Sequence, residues 1–262
     1  MARRQSLERY HRKTLDQFHL SVVVPAYNEE ARLERTLACL AEYYGNQSYT
    51  YDVLVVSDGS QDKTKAIVED FAQTHPEFSV FEYQPNKGKG CAVRVGMLKA
   101  QGNYVLFCDA DLATPQEETE KLLPRMLQGA DVAIGSRPLK ESNLEVRQPM
   151  YREIAGRTFN AAVQLFGIRG IADTQCGFKM FTSAACMDIF SRCKLNRFGF
   201  DFECLMIARD LGYKIDEVPI RWRHQEGSKV RLLQDGSQML IDLIRLRLQG
   251  KSRRTAKNPN PF

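Results

Sequence analysis

Apolar residues in this chain come in short β-branched runs, and between the runs leucines and aromatics recur every three or four positions. The first run, His19-Leu20-Ser21-Val22-Val23-Val24-Pro25, is closed by proline and reads as a buried strand. Ala26-Tyr27-Asn28-Glu29-Glu30 is a polar loop behind it, and Leu33, Leu37, Leu40 and Tyr44 follow at helical spacing. The unit repeats with strand Tyr51 to Ser57, loop Asp58-Gly59-Ser60-Gln61-Asp62 and a helix from about Lys63 to Thr74. It repeats again with strand Phe78 to Tyr83, loop Gln84 to Gly90 and a helix to about Ala100. A fourth run, Val105-Leu106-Phe107-Cys108, stops abruptly at Asp109-Ala110-Asp111, and a helix start follows at Thr114-Pro115-Gln116-Glu117. Alternation on this scale predicts right-handed crossovers: an α/β fold, Rossmann-like, with a mainly parallel sheet flanked by helices in a single domain.

In such a sheet every loop that follows a strand emerges on one edge, where ligands sit. Four polar loops therefore share that edge, and they are treated as one site. Two hard carboxylates at i and i+2 suit a Mg²⁺ or Mn²⁺ ion that takes its remaining ligands from substrate oxygens. The same pair also fits a solvated turn that caps the following helix, and the short pattern does not choose. Gly88-Lys89-Gly90-Cys91-Ala92-Val93 lacks the third glycine of a dinucleotide fingerprint, and no P-loop pattern is present, so neither a dehydrogenase nor a P-loop enzyme is supported.

Asp131 to Gly135 predicts a further strand ended by Ser136-Arg137-Pro138, and Leu139 to Pro149 reads as a surface loop. Tyr151 to Phe166 has a helical pattern carrying Arg152 and Arg157, and Pro219 to His224 is expected to form a late strand presenting Trp222 and His224. Met239 to Leu248 is helical with a wide apolar face, followed by Lys251, Arg253, Arg254 and Lys257. This last helix either lies on an anionic membrane or packs on the sheet.

Composition narrows the class. With 262 residues, 43% hydrophobic and 26% charged, the chain suits one globular domain with a substantial core. Both ends are basic and the formal net charge is +5, which favours anionic partners without selecting one. The seven cysteines include no C-x-x-C pair, so neither disulfides nor structural zinc are expected. No secretory signal and no run of eighteen apolar residues is apparent, so the expected location is cytoplasmic, with any membrane contact peripheral. Basic termini without a recognition element do not make a specific nucleic-acid binder. The expected organisation is a basic arm over 1–18, a catalytic domain over 19–249 divided at 137/138 into donor and acceptor halves, and a disordered basic tail over 250–262.

Val24-Pro25-Ala26-Tyr27-Asn28-Glu29, Val56-Ser57-Asp58-Gly59-Ser60, Asn86-Lys87-Gly88-Lys89-Gly90 and Asp109-Ala110-Asp111, in this order and spacing, resemble the nucleotide-sugar half of family 2 inverting glycosyltransferases. The resemblance implies a GT-A fold. It also implies that Pro25, Tyr27, Glu29 and Asp58 contact the nucleoside with Lys87 and Gly88 nearby, and that Asp109, Ala110 and Asp111 hold ribose, metal and diphosphate.

Asp173 to Phe181, Arg197 to Glu203 and Glu226-Gly227-Ser228-Lys229 are similar to the branch that transfers a hexose to polyprenyl or dolichyl phosphate, in particular the dolichyl-phosphate β-glucosyltransferases. Ala113 stands where the mannosyl branch often has a glutamine. The implied reaction moves glucose from UDP-glucose to a polyprenyl phosphate with Mg²⁺ or Mn²⁺. GDP-mannose, a soluble acceptor, and a silent nucleotide-sugar or membrane-binding module are the alternatives. A phosphate acceptor is already anionic, so positive charge is needed more than a base. Arg137, Arg152 and Lys229 are the candidates, with Arg147 and Arg231 behind them. Asp201 is expected to position acceptor or sugar, or to order a cation; with Glu203 it could equally cap a helix.

Overall fold

Nine strands and eight helices account for most of the residues that the computed structural model describes, namely 18–146, 150–166, 168, 170–225 and 232–250. Of the arm expected over 1–18 only Phe18 is described, and it is buried in the core; of the tail expected over 250–262 only Gly250 is described, and Arg147, the Glu226–Lys229 turn and Arg231 lie outside the described residues.

The first half alternates as its pattern predicts. β1 (His19–Ala26), α1 (Leu33–Gly45), β2 (Thr50–Asp58), α2 (Thr64–Ala72), β3 (Phe78–Tyr83), α3 (Lys89–Lys99) and β4 (Tyr104–Cys108) are followed by a short 3₁₀ turn at Gln116–Glu118 and α4 (Thr119–Leu127). In β1, Leu20, Val22 and Val24 pack into one apolar cluster and Val23 into the other, and all four are buried. A strand buried on both faces needs a helical layer on each, which is why its apolar run is nearly continuous. Leu33, Leu37, Leu40 and Tyr44 supply one layer from a single face of α1. On the opposite layer α3 is buried around most of its circumference, Arg94 included, because it lies between the sheet and later helices. Gly96 makes that approach feasible, since a Cβ there would stand 2.3 Å from Val23 Cγ1.

The second half holds β5 (Val132–Ser136), β6 (Asn143–Val146), α5 (Met150–Phe166), β7 (Phe178–Thr182), α6 (Ser183–Phe190), α7 (Phe200–Leu211), β8 (Ile215–Pro219), β9 (Arg221–Arg223) and α8 (Leu232–Gln249). The main sheet has the order β3-β2-β1-β4-β7-β5-β8. Every pairing is parallel except those of β7, which runs antiparallel to β4 and β5. The sheet is therefore mainly parallel, as expected.

Two expectations fail here. The stretch 139–149 is not simply a loop: Asn143–Val146 pairs in parallel with Arg221–Arg223 as a separate two-stranded sheet. The expected strand from Pro219 to His224 is correspondingly split. Pro219 closes β8, and the chain leaves the main sheet before β9. Trp222 is 9% exposed and belongs to the core, so it is not presented to a ligand.

Candidate active site

β1 lies between β2 and β4, so the chain turns outward one way after β1 and the other way after β3. The loops that part at such a switch point leave a crevice at the carboxyl edge of the sheet. A cleft of about 820 Å³ opens there, within the usual size of a small-molecule site. The loop after β1 contributes Pro25, Tyr27 and Glu29; β2 ends in Asp58; the loop after β3 contributes Asn86, Lys87 and Gly88; and β4 leads into Asp109, Ala110 and Asp111. All nine residues assigned from the four motifs thus line one cavity.

The loops are fixed by their own side chains. Asp58 is buried, and its Oδ1 accepts from Lys87 N at 2.7 Å while Oδ2 accepts from Gly88 N at 2.8 Å and Asn86 Nδ2 at 2.9 Å. This carboxylate shapes the third loop as well as facing the cleft. Gly88 has φ +105°, and a Cβ there would meet Asn196 O at 2.5 Å, so only glycine fits. In the first loop, Glu29 N donates to Thr64 Oγ1 at 2.8 Å and Asn28 Oδ1 accepts from Gln61 N at 2.8 Å. Among the described residues the two non-glycine positions with positive φ are Asn28 at 50° and Leu112 at 48°, one in each loop flanking the switch point. Unusual backbone held at two cleft loops indicates that the surrounding structure fixes them there.

Asp109 and Asp111 sit where β7 passes antiparallel to β4. Asp109 N donates to Gly177 O at 3.2 Å, and a Cβ on Gly177 would stand 2.1 Å from Asp109 Oδ2. The missing side chain at 177 is the space the carboxylate occupies. Asp109 Oδ1 lies 2.5 Å from Lys89 Nζ in an ion pair, and this buried oxygen has no further partner among the described residues. Asp111 accepts from Ala113 N at 3.0 Å; burial, and then the neighbouring Asp109 charge, raise its pKa above the ordinary carboxylate range. Burial works against the Lys89 ammonium, but Asp109, Asp201 and Asp111 together hold its pKa up at about 12. The cleft wall carries five acidic side chains (Glu29, Asp58, Asp109, Asp111 and Asp235) against four basic ones (Arg32, Lys87, Lys89 and Arg197). Two carboxylates crowded at i and i+2, partnered by the single Lys89 ammonium, are hard oxygen donors that fit a Mg²⁺ or Mn²⁺ ion taking its other ligands from a diphosphate. Among the described residues no third Asp, Glu, His or Cys joins them as a ready-made cage.

The remaining candidates stand elsewhere. Arg137 does not line the cleft: Nε and Nη2 grip Asp173 at 2.6 and 2.9 Å, and the guanidinium lies 5.5 Å from the centre of the Trp222 ring. A bidentate pair of this kind neutralises the charge that Arg137 was expected to offer. Asp201 is buried behind the cleft in an ion pair with Lys179, whose Nζ also donates to Cys176 O at 2.6 Å. Burial works against the Lys179 ammonium, but Asp201 beside it holds its pKa above the ordinary value. The α7 start is not capped by Asp201. Arg152 lies on α5 with its side chain outside the described residues, as is Lys229. Lys89, Arg32, Arg197 and Asp235 line the cleft without having been assigned a role. Lys89 belongs to the Asn86–Gly90 motif and Arg197 to the Arg197–Glu203 motif, whereas Arg32 and Asp235 lie outside every motif of the sequence.

A model of the family described as "Glycosyl transferase family 2" matches residues 21–190. The chain belongs to this family. The four loop motifs between Val24 and Asp111 fall inside the matched span. The dolichyl-phosphate beta-glucosyltransferase of Drosophila melanogaster is 41% identical over 238 residues, covering 86% of this chain and 73% of that protein. The dolichyl-phosphate beta-glucosyltransferase of Saccharomyces cerevisiae is 36% identical over 254 residues, covering 89% and 75%. Among solved structures, glucosyl-3-phosphoglycerate synthase from Mycobacterium tuberculosis, in complex with Mn²⁺, UDP-glucose and phosphoglyceric acid, superposes with a TM-score of 0.66 at 18% identity, covering 95% of this chain and 83% of that one. Mannosyl-3-phosphoglycerate synthase from Rubrobacter xylanophilus gives 0.67 at 18% identity, covering 95% and 80%. These likenesses establish the GT-A fold.

Proposed function

We propose that this glycosyltransferase moves glucose from UDP-glucose to dolichyl phosphate or a related polyprenyl phosphate, with inversion and with Mg²⁺ or Mn²⁺. The observation that carries the donor half is the meeting of Asp109 and Asp111 with the Pro25–Glu29, Asp58 and Asn86–Gly88 loops in one cleft. The acceptor half rests on relatives at 34–41% identity that are named as dolichyl-phosphate β-glucosyltransferases.

Within this reading Tyr27 stacks on the base and Glu29 and Asp58 face the nucleoside. Asp109 and Asp111 would hold the ion, which when bound supplies positive charge at the leaving diphosphate. Lys89, at the first turn of α3, adds its own charge at the same anion. An acceptor phosphate oxygen forms a bond to the anomeric carbon as the bond from that carbon to the β-phosphate oxygen breaks, and UDP leaves with the electron pair. The attacking oxygen is already charged near neutral pH, so no side chain must take its proton. Arg152 and Lys229 are assigned to drawing in the acceptor; Arg137, already paired with Asp173, is not.

The test is UDP release across a donor panel with dolichyl and undecaprenyl phosphate, with and without EDTA. UDP-glucose should turn over at least about tenfold faster than GDP-mannose or UDP-galactose, and EDTA should abolish turnover. Faster turnover of GDP-mannose, or no release from any UDP-sugar, would overturn the assignment.

A further inference from the structure

The last helix has two apolar faces. Met239, Leu243 and Leu246 are buried against the domain, yet Leu240, Ile241, Ile244 and Leu248 remain 39%, 45%, 44% and 81% exposed. At 100° per residue these four fall within an arc of about 100°, roughly opposite the buried face. Arg247 borders the arc on one side and Arg245 on the other; both are exposed, and Arg245 only approaches Asp242 at 4.0 Å. From Leu243 to Phe262 the sequence carries six basic residues and no acidic one. A helix that is apolar on both sides is normally covered on both. Here the second covering must tolerate concentrated positive charge at its rim. That excludes a second copy of the same basic face and suits an anionic lipid surface.

We infer that the outer face of α8 docks the enzyme on an anionic bilayer, with Leu240, Ile241, Ile244 and Leu248 immersed and Arg245 and Arg247 at the headgroup level. The first described turn of the helix, Gln234 and Asp235, lines the donor cleft. Leu248 is thirteen residues further on, about 20 Å along the axis at 1.5 Å per residue. Docking by this face therefore brings the mouth of the cleft within reach of a phosphate at the membrane surface. The purpose rests on the lipid-acceptor reading above, whereas the docking geometry does not.

The experiment sediments the full chain with phosphatidylcholine vesicles, with and without roughly one-third phosphatidylserine, in the absence of any acceptor. Wild type should bind the anionic vesicles. The triple variant Leu240→Ser/Ile244→Ser/Leu248→Ser should bind about tenfold or more weakly with its melting temperature intact, because the replaced side chains are solvent-facing. Arg245→Glu/Arg247→Glu should lose the preference for anionic over neutral vesicles. With a short, water-soluble polyprenyl phosphate the triple variant should match wild-type turnover, and with a long-chain acceptor in vesicles it should be slower by about tenfold. Absence of glucose transfer by every protein would sink the lipid-acceptor reading alone, since vesicle binding is measured without acceptor. Equal sedimentation of wild type and triple variant would overturn the docking face, as would a wild-type dimer that the triple variant abolishes.

Discussion

Gly177 shows how one absent side chain can set the position of a cleft carboxylate. The antiparallel pairing of β7 with β4 puts the 177 backbone against Asp109, and a methyl group would lie 2.1 Å from Oδ2 and 2.4 Å from Cγ. Both atoms belong to a short side chain, so the carboxylate must rotate away from its Lys89 partner. Gly177→Ala should therefore reduce kcat/KM for the donor by about 100-fold, the scale expected when a reacting group is displaced by an ångström. Gly156→Ala, on α5 with nothing within 4 Å of the added carbon, is the control and should leave turnover unchanged. Steady-state kinetics on both, with melting curves, check this; equal activity of the two would mean that Asp109 does not depend on the space at 177. The motif around Cys176 and Gly177 stood out in the sequence by resemblance. Its physical reason did not, because it needs the register of two strands about seventy residues apart.

At the scale of elements, α7 is held to the loop before it by a buried acid. Glu203 accepts backbone N–H bonds from Lys194 and Leu195 at 2.9–3.1 Å, and burial still pushes its pKa up to about 7 from an ordinary 4.5. The folded chain thus retains a proton that the unfolded chain has lost between those values. The associated stabilisation is complete below pH 4.5 and is lost as pH rises to about 7, a total of about 3 kcal/mol at most. Glu203→Gln cannot titrate, so urea unfolding at pH 5 and pH 8 should show a smaller loss of stability for the variant than for wild type. Parallel losses in the two proteins would place the titration elsewhere. The elements legible in the sequence are those whose partners are local: β1 to β4 announce themselves by apolar runs and their loops by motif. β6 and β9 do not, being four and three residues long, with register partners 77 or 78 residues apart. The charge of Lys179 likewise hides a strand residue, since its ammonium is neutralised by Asp201 from a distant helix.

For the whole molecule the question is how a cleft with more acid than base would bind the diphosphate of the proposed donor. The sheet brings four loop ends to one edge, but their combined charges leave the wall at five acidic to four basic side chains. Some of the basic ones are already engaged: Lys89 with Asp109 at 2.5 Å, Arg32 with Glu29 at 2.9 Å and Arg197 with Asp235 at 3.4 Å. A nucleoside diphosphate adds further negative charge within a few ångströms of Asp109 and Asp111. In a partly desolvated site that repulsion is not screened as it would be in water. A divalent ion reverses the sign of the balance. UDP affinity should therefore fall by at least about 30-fold when Mg²⁺ and Mn²⁺ are removed, a change of about 2 kcal/mol. Isothermal titration of UDP with and without Mn²⁺ measures it. Asp109→Asn/Asp111→Asn removes two negative charges from the wall, so its binding of UDP should depend far less on the ion even as catalysis is lost. If wild type binds UDP equally well in EDTA, then Lys87, Lys89, Arg32 and Arg197 suffice to neutralise the diphosphate, and the two aspartates serve some purpose other than holding a metal.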